Sequence, residues 1–185
     1  MNFGTCQSQV TPISVSNSSI PLLSYLDGSD PAANGVLPSD NTAQSAWVSK
    51  FGLGANAAQP SGGNQPKFRT NIQAGKGAMQ FVAASLNSMS IAASANYAIA
   101  SGQSVYVVAR TAGGLTIQNL GGRGYFPVGG YNFGKYQTLN TEKEAFFVLN
   151  NVALVQTSTT NTFWPDNASI CASWVFNPND INIYK

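Results

Sequence analysis

The sequence predicts an all-β fold, a sandwich of two stacked antiparallel sheets. Its apolar residues come in short runs, many alternating with period two and rich in β-branched and aromatic types. Gly, Pro, Asn and Ser bound those runs, and helical periodicity is nearly absent.

Strands are expected over 10–15, 20–26, 78–82, 104–110, 115–119, 145–149, 152–157, 169–176 and 181–184. Each is short enough to cross one sheet. In SVYVVAR, Val105, Val107 and Ala109 share one face and Tyr106, Val108 and Arg110 the other. Both faces are largely apolar, so this run is expected as a central strand of a sheet packed against another. SICASWVF puts Ile170, Ala172, Trp174 and Phe176 on one face. The run 145–155 breaks at Asn150-Asn151, a pair that tolerates the positive φ of a tight turn. The segment 42–51 reads two ways. It is a helix capped by Asp40, or an extended connection.

Four stretches read as loops: 28–46, 52–66, 121–137 and 158–167. Loops of such length in a compact domain usually carry function or pack on a neighbour. No repeat, charge run or linker marks a second domain. The expected organisation is an N-terminal arm or edge strand over 1–19 and a β-sandwich over 20–185.

The surface chemistry is unusual. Only 9% of the 185 residues are charged, against an average of about 25%. Polarity comes from Asn, Ser, Thr, Gln and 18 Gly. Between residues 41 and 141 there is no acid, while Lys50, Lys67, Arg69, Lys76, Arg110, Arg123 and Lys135 fall there. These cations are scattered, so we expect the fold to bring acids among them rather than to form a basic face. Nucleic-acid binding needs denser Lys and Arg with interleaved aromatics and is not expected.

Cys6 and Cys171 are 165 positions apart. One reading is a bridge joining the chain ends. The expected one is two buried free thiols, because Cys packs as a small apolar residue and a lone pair is no disulfide framework. The first residues carry no charged n-region and long apolar core, so no signal peptide is expected, and no apolar run is long enough for a membrane span.

Reactive groups are sparse. The chain has no His, which excludes Ser-His-Asp and Cys-His chemistry and leaves two sulfurs that cannot complete a tetrahedral zinc site. Glu142 and Glu144 share a strand face, and a retaining glycosidase needs two carboxyls about 5–5.5 Å apart. No third acid follows them, and a solvated strand entrance is the expected role. GGRGYF lacks the ending of a phosphate loop. No catalytic residue, metal or cofactor is expected. Aromatics concentrate in two of the loops: Tyr125, Phe126, Tyr131, Phe133 and Tyr136 in one, Phe163 and Trp164 in the other. They form a subunit contact, a sugar platform, or a cap over the sandwich core.

Several segments, in order, resemble a family. PLLSYLDGSD, SAWVSKFGLGANAAQ, NQPKFRTNIQAGKGAMQF and SGQSVYVVAR are similar to the laminin-G-like, concanavalin-A-like lectin/glucanase domains frequent in bacteriophage structural proteins. Tyr25, Leu26, Asp27, Asp30, Trp47, Asn56, Ala58, Gln59, Gln65, Pro66, Gly75, Lys76, Phe81, Val107, Val108 and Arg110 take the pattern's places, across about residues 20–110. Ser49 stands where the pattern commonly has Asp. The resemblance implies a jelly-roll sandwich. It also raises calcium near Asp27 and Asp30, with Asn34 or Asp40 adding oxygens; the other reading of these acids is an Asx-turn.

Together these features lead to an expected function. The chain is a non-catalytic virion structural protein, a capsid decoration (cement) protein assembled in the bacterial host cytoplasm. Its partners are the major capsid protein or other virion proteins, and copies of itself in a symmetric oligomer such as a trimer. The alternative is a carbohydrate-binding adhesin or tail-fibre module that recognises a glycan.

Overall fold

A computed structural model describes residues 24–50, 55–73, 75–92, 103–111, 118–123, 131–136, 144–149, 153–157, 167–177 and 180–184. These residues are predominantly strand, every sheet pairing among them is antiparallel, and their only helix is two 3-10 turns, so the chain is all-β. The expected arm, 1–19, lies outside the described residues. The chain divides into two compact units: Thr11–Asn96, and Met1–Val10 with Tyr97–Lys185.

In the unit Thr11–Asn96 most strands are short. β1 (Thr42–Ala43), β4 (Lys67–Gln73) and β5 (Lys76–Gln80) form one sheet in the order β1-β4-β5. β2 (Ala46–Trp47), β3 (Ala57–Ala58) and β6 (Ser90–Ile91) form another, in the order β2-β3-β6. The segment 42–51 is therefore extended where it is described, and the helical reading fails. Its residues find pairing partners in two sheets, which rewards an extended backbone more than a cap at Asp40 rewards a helix. The stretches 28–46 and 52–66, read as loops, contain β1, β3 and the start of β2.

β4 was not expected as a strand, because five of the seven residues in KFRTNIQ are polar. Register slips between Arg69 and Gln73, where Asn71 takes a φ of 54°, and the bulge breaks the alternation that would reveal a strand. The hairpin closes at Gln73↔Lys76, with Gly75 at a φ of 79°. Phe68 is fully buried above Gly77, where an added Cβ would lie 2.2 Å from the ring's Cζ atom. Pro31, Pro66 and Ala57 are buried in the same unit.

The second unit has longer strands. β7 (Gln103–Arg110), β12 (Ser169–Asn177) and β13 (Asp180–Tyr184) pair in the order β13-β12-β7. The alternation read in SICASWVF is present: Ile170, Ala172 and Trp174 are buried, and Trp174 fully. β7 was expected at the centre of a sheet. Among the described strands it lies at an edge, and β12 is central. Alternation reports which face is buried, not which neighbours supply hydrogen bonds. Its outer face is also open, with Tyr106 72% and Val108 49% exposed.

β8 (Gln118–Arg123), β9 (Tyr131–Tyr136), β10 (Glu144–Leu149) and β11 (Ala153–Thr157) form a four-stranded meander. The loop expected over 121–137 is thus corrected: its described residues are the end of β8 and the whole of β9. Gly and Asn suggested a loop, but β9 has a partner on each side, and that pairing outweighs weak intrinsic preference. β10 and β11 pair as far as Leu149↔Ala153, which leaves three residues between them rather than the two of a tight turn at Asn150-Asn151; residues 150–152 lie outside the described residues.

Free thiols were expected, and this too is corrected. Among the described residues no cysteine is free, and Cys171 is disulfide-bonded. Burial could not argue for a thiol here, because Cys171 is exposed on β12.

Candidate functional site

Two features stand out in the unit Thr11–Asn96: a knot of ions that shapes one loop, and an apolar tip fastened by hydrogen bonds.

The knot begins with Asp27. Its Oδ1 accepts hydrogen bonds from the Ser29 backbone N–H at 2.9 Å and the Ser29 hydroxyl at 2.7 Å, an Asx-turn. Asp30, which is buried, accepts from the N–H groups of Asn34 (3.2 Å) and Gly35 (3.1 Å). Lys50 Nζ lies between the two carboxylates, 2.8 Å from Asp27 Oδ2 and 3.0 Å from Asp30 Oδ2. Trp47 Nε1 donates to the Asp27 carbonyl at 2.9 Å and holds the base of the turn.

Burial acts to raise both carboxyls. The hydrogen bonds from Lys50 and from nearby N–H groups outweigh it, and both stay below the usual carboxylate range. The hydrogen bond to Asp27, with a smaller one to Asp30, holds Lys50 above its ordinary value against partial burial. Burial and then the charge of Asp27 raise Tyr25. The structure therefore contains an Asx-turn at Asp27 and, at Asp30, bonds to the N–H groups of Asn34 and Gly35, with an ammonium between the two carboxylates. Asn34 Oδ1 is used by the Val36 N–H, and Asp40 bonds Arg69 and Thr70 elsewhere. Among the described residues no group of three or more His, Cys, Asp or Glu could hold a metal ion.

The same ion pairs bear on the charge question for two of the seven cations. Lys50 and Arg69 belong to the acid-free stretch, and the fold brings Asp27, Asp30 and Asp40 to them from outside it.

The apolar tip follows β5. Phe81 rests near Trp47, with ring centroids 6.3 Å apart. The chain then turns through Ala83–Ser85, and Leu86 takes a φ of 51° and a ψ of 33°. A left-handed leucine is strained by about 1–2 kcal/mol. Four contacts enforce it. Asn87 Oδ1 accepts the Val82 N–H at 2.9 Å, and Asn87 Nδ2 donates to the Gln65 carbonyl at 3.0 Å. The Ser88 N–H donates to the Asn64 carbonyl at 3.2 Å, and Gln59 Nε2 to the Ser88 carbonyl at 3.2 Å. The result is a leucine 73% exposed at a fixed position, beside exposed Phe81 and Val82. A second apolar pair, Val36 (66% exposed) and Leu37 (61%), extends from the turn that Asp30 organises.

Of the aromatics singled out in the sequence, Tyr131, Phe133 and Tyr136 lie on β9, and Tyr125, Phe126, Phe163 and Trp164 lie outside the described residues. Tyr131 pairs in register with Leu149, Phe133 with Phe147, and Tyr136 with Glu144. Glu142 lies outside the described residues, and Glu144 begins β10. Sequence reasoning missed Leu86, Val36 and Leu37. The available signal was slight: apolar residues inside polar, Asn- and Ser-rich stretches with no strand period to claim them.

Comparisons with protein-family models, with curated proteins and with solved structures find no match for this chain.

Proposed function

We propose that this chain is a non-catalytic structural component of a virion, a capsid decoration (cement) protein that grips the particle through rigid apolar tips. The observation that carries the reading is Leu86: strained, exposed and locked by Asn87 and its partners. Backbone strain persists only where the surroundings over-determine it, and it clusters at functional positions. A preformed apolar knob docks with little entropy left to lose. Sparse charge suits burial against a shell protein, because few ions need desolvation. A disulfide at Cys171 suits a particle that meets an oxidising exterior after release. In this reading the small sheets are parts of a jelly-roll sandwich of the concanavalin-A-like kind, and copies assemble symmetrically on the major capsid protein.

The test is co-sedimentation of the purified chain with empty capsids of the source virus. Leu86→Gly relieves the left-handed strain while deleting the knob. It leaves folding stability equal or higher, yet weakens capsid binding about tenfold or more, the worth of one buried leucine. A chain that never co-migrates with capsids, or a Leu86→Gly variant that binds as well as the parent, removes the reading. Specific binding of the monomer to a glycan array, without capsid binding, favours the adhesin instead.

A further inference from the structure

The turn that Asp30 organises holds the chain's one Asn-Gly pair, Asn34-Gly35. Both residues are exposed. The buried Asp30 carboxylate grips the backbone on either side of the Asn34 side chain. Its Oδ1 accepts the Asn34 N–H at 3.2 Å, and its Oδ2 the Gly35 N–H at 3.1 Å. Asn34 Oδ1 in turn accepts the Val36 N–H at 2.9 Å. Gly35 takes a φ of 75°, and a Cβ placed there would meet nothing within 4 Å among the described residues.

We propose that Asn34 is a site of spontaneous deamidation, and that Asp30 holds the reaction back. Asn is among the thermolabile residues, and a following Gly puts no side chain over the backbone nitrogen that attacks it. In the reaction the Gly35 N–H gives up its proton to hydroxide, and the nitrogen bonds to Asn34 Cγ. The Cγ–Nδ2 bond breaks, and Nδ2 leaves as ammonia with a proton taken from water. Water then opens the succinimide at either carbonyl. One opening leaves an aspartate at this position. The other leaves an isoaspartate, whose backbone runs through the side-chain carbon and is one methylene longer. Open space around Gly35 leaves room for the ring and for water. What the fold withholds is the nitrogen. Its N–H is spent on a carboxylate, a charge-assisted bond that must break before the nitrogen attacks. The companion bond from the Asn34 N–H ties the other end of the residue to the same group, so the Asn34 backbone cannot turn alone. The Val36 N–H works the other way, because it draws electrons from the amide carbon. It is a neutral hydrogen bond, however, and about half as strong. Modification would add a carboxylate beside Asp30 and close to the exposed Val36 and Leu37. The inference stands apart from the capsid reading, since it concerns only the chemistry of this turn.

Peptide mapping of the full chain in neutral buffer tests it, reading the amide-to-carboxyl mass gain and isoaspartyl methyltransferase labelling at Asn34. In concentrated urea the gain should appear at Asn34 ahead of the other asparagines. In the folded parent it should be slower by about tenfold or more, the worth of one hydrogen bond to a charged group. Asp30→Ala, shown to be folded by circular dichroism, should modify several-fold faster than the folded parent. No gain at Asn34 in urea would overturn the site. A folded parent that modifies as fast as the unfolded chain would overturn the restraint, and that comparison holds even if Asp30→Ala fails to fold. A folded Asp30→Ala that modifies at the parental rate would overturn the part given to Asp30.

Discussion

The two compact units satisfy their backbones in different ways. In Tyr97–Lys185 the described strands run from five to nine residues and pair in long ladders. In Thr11–Asn96 four of the six described strands have two residues, and side chains complete what the ladders do not. Asp27, Asp30, Asn56, Asp40 and Asn87 each accept a backbone N–H there. The lesson concerns shape. A ladder gives a regular surface whose exposed residues follow strand period. Side-chain fastening permits irregular backbone, such as a left-handed leucine, at a fixed place.

If the ladder unit depends on one apolar face, Trp174→Ala should cost the most. Losing a fully buried Trp costs about 3–5 kcal/mol, read from urea unfolding. A cost below about 1 kcal/mol would mean that its pocket collapses freely.

The fastened unit should break next at Lys50. Lys50→Met leaves two carboxylates side by side, one of them buried. Removing one partner of a buried pair costs about 3–5 kcal/mol, and partial exposure of Lys50 and Asp27 reduces this to about 2 kcal/mol. The pH profile sharpens the point. Asp27 and Asp30 have lowered folded-state pKa values, so their contribution is full above about pH 4. It is lost as pH falls through the lowered folded values. Lys50 is raised, so its contribution holds at neutral pH and disappears only in strong alkali. The parent should therefore lose stability on acidification to about pH 2–3 through this knot, while Lys50→Met loses less over the same range. Parallel urea-midpoint curves for the two proteins would show that the knot contributes nothing.

Gly77→Ala probes a place where the fastened unit packs backbone tightly against an aromatic ring. The new methyl group meets the Phe68 ring, and Phe68 has no exposed side to retreat to. A loss of about 1–3 kcal/mol is expected in thermal melts, as for other overpacked cores. The smallest effect should come from Thr111→Val. Thr111 is buried, and its hydroxyl has no hydrogen-bond partner among the described residues. An apolar group of the same shape removes an unsatisfied donor, so stability should hold or rise by about 1 kcal/mol, seen as an unchanged or higher melting temperature.

Legibility followed the same division. Trp174, Ile170 and Ala172 were readable as one face, because period two is local and burial tracks it. The Asx-turn at Asp27 and the local bonds to Asp30 were readable as well, since the bonded groups lie two to five residues away. β9 was hidden by its glycine and asparagine, and β4 by its bulge. Nothing near Leu86 in sequence announces the tip. Its clamps come from Asn64 and Gln65 as well as Asn87.

The sequence by itself determined the all-β character, the Asx-turn at Asp27 and the lack of histidine, because these depend on backbone preference and on which atoms are present. The tertiary structure alone decided that Lys50 meets Asp27 and Asp30, that β7 lies at an edge among the described strands, and that Cys171 is bonded. Those outcomes join residues that are distant along the chain. Such contacts form only when the chain closes a long loop and something at the meeting point offsets the entropy lost.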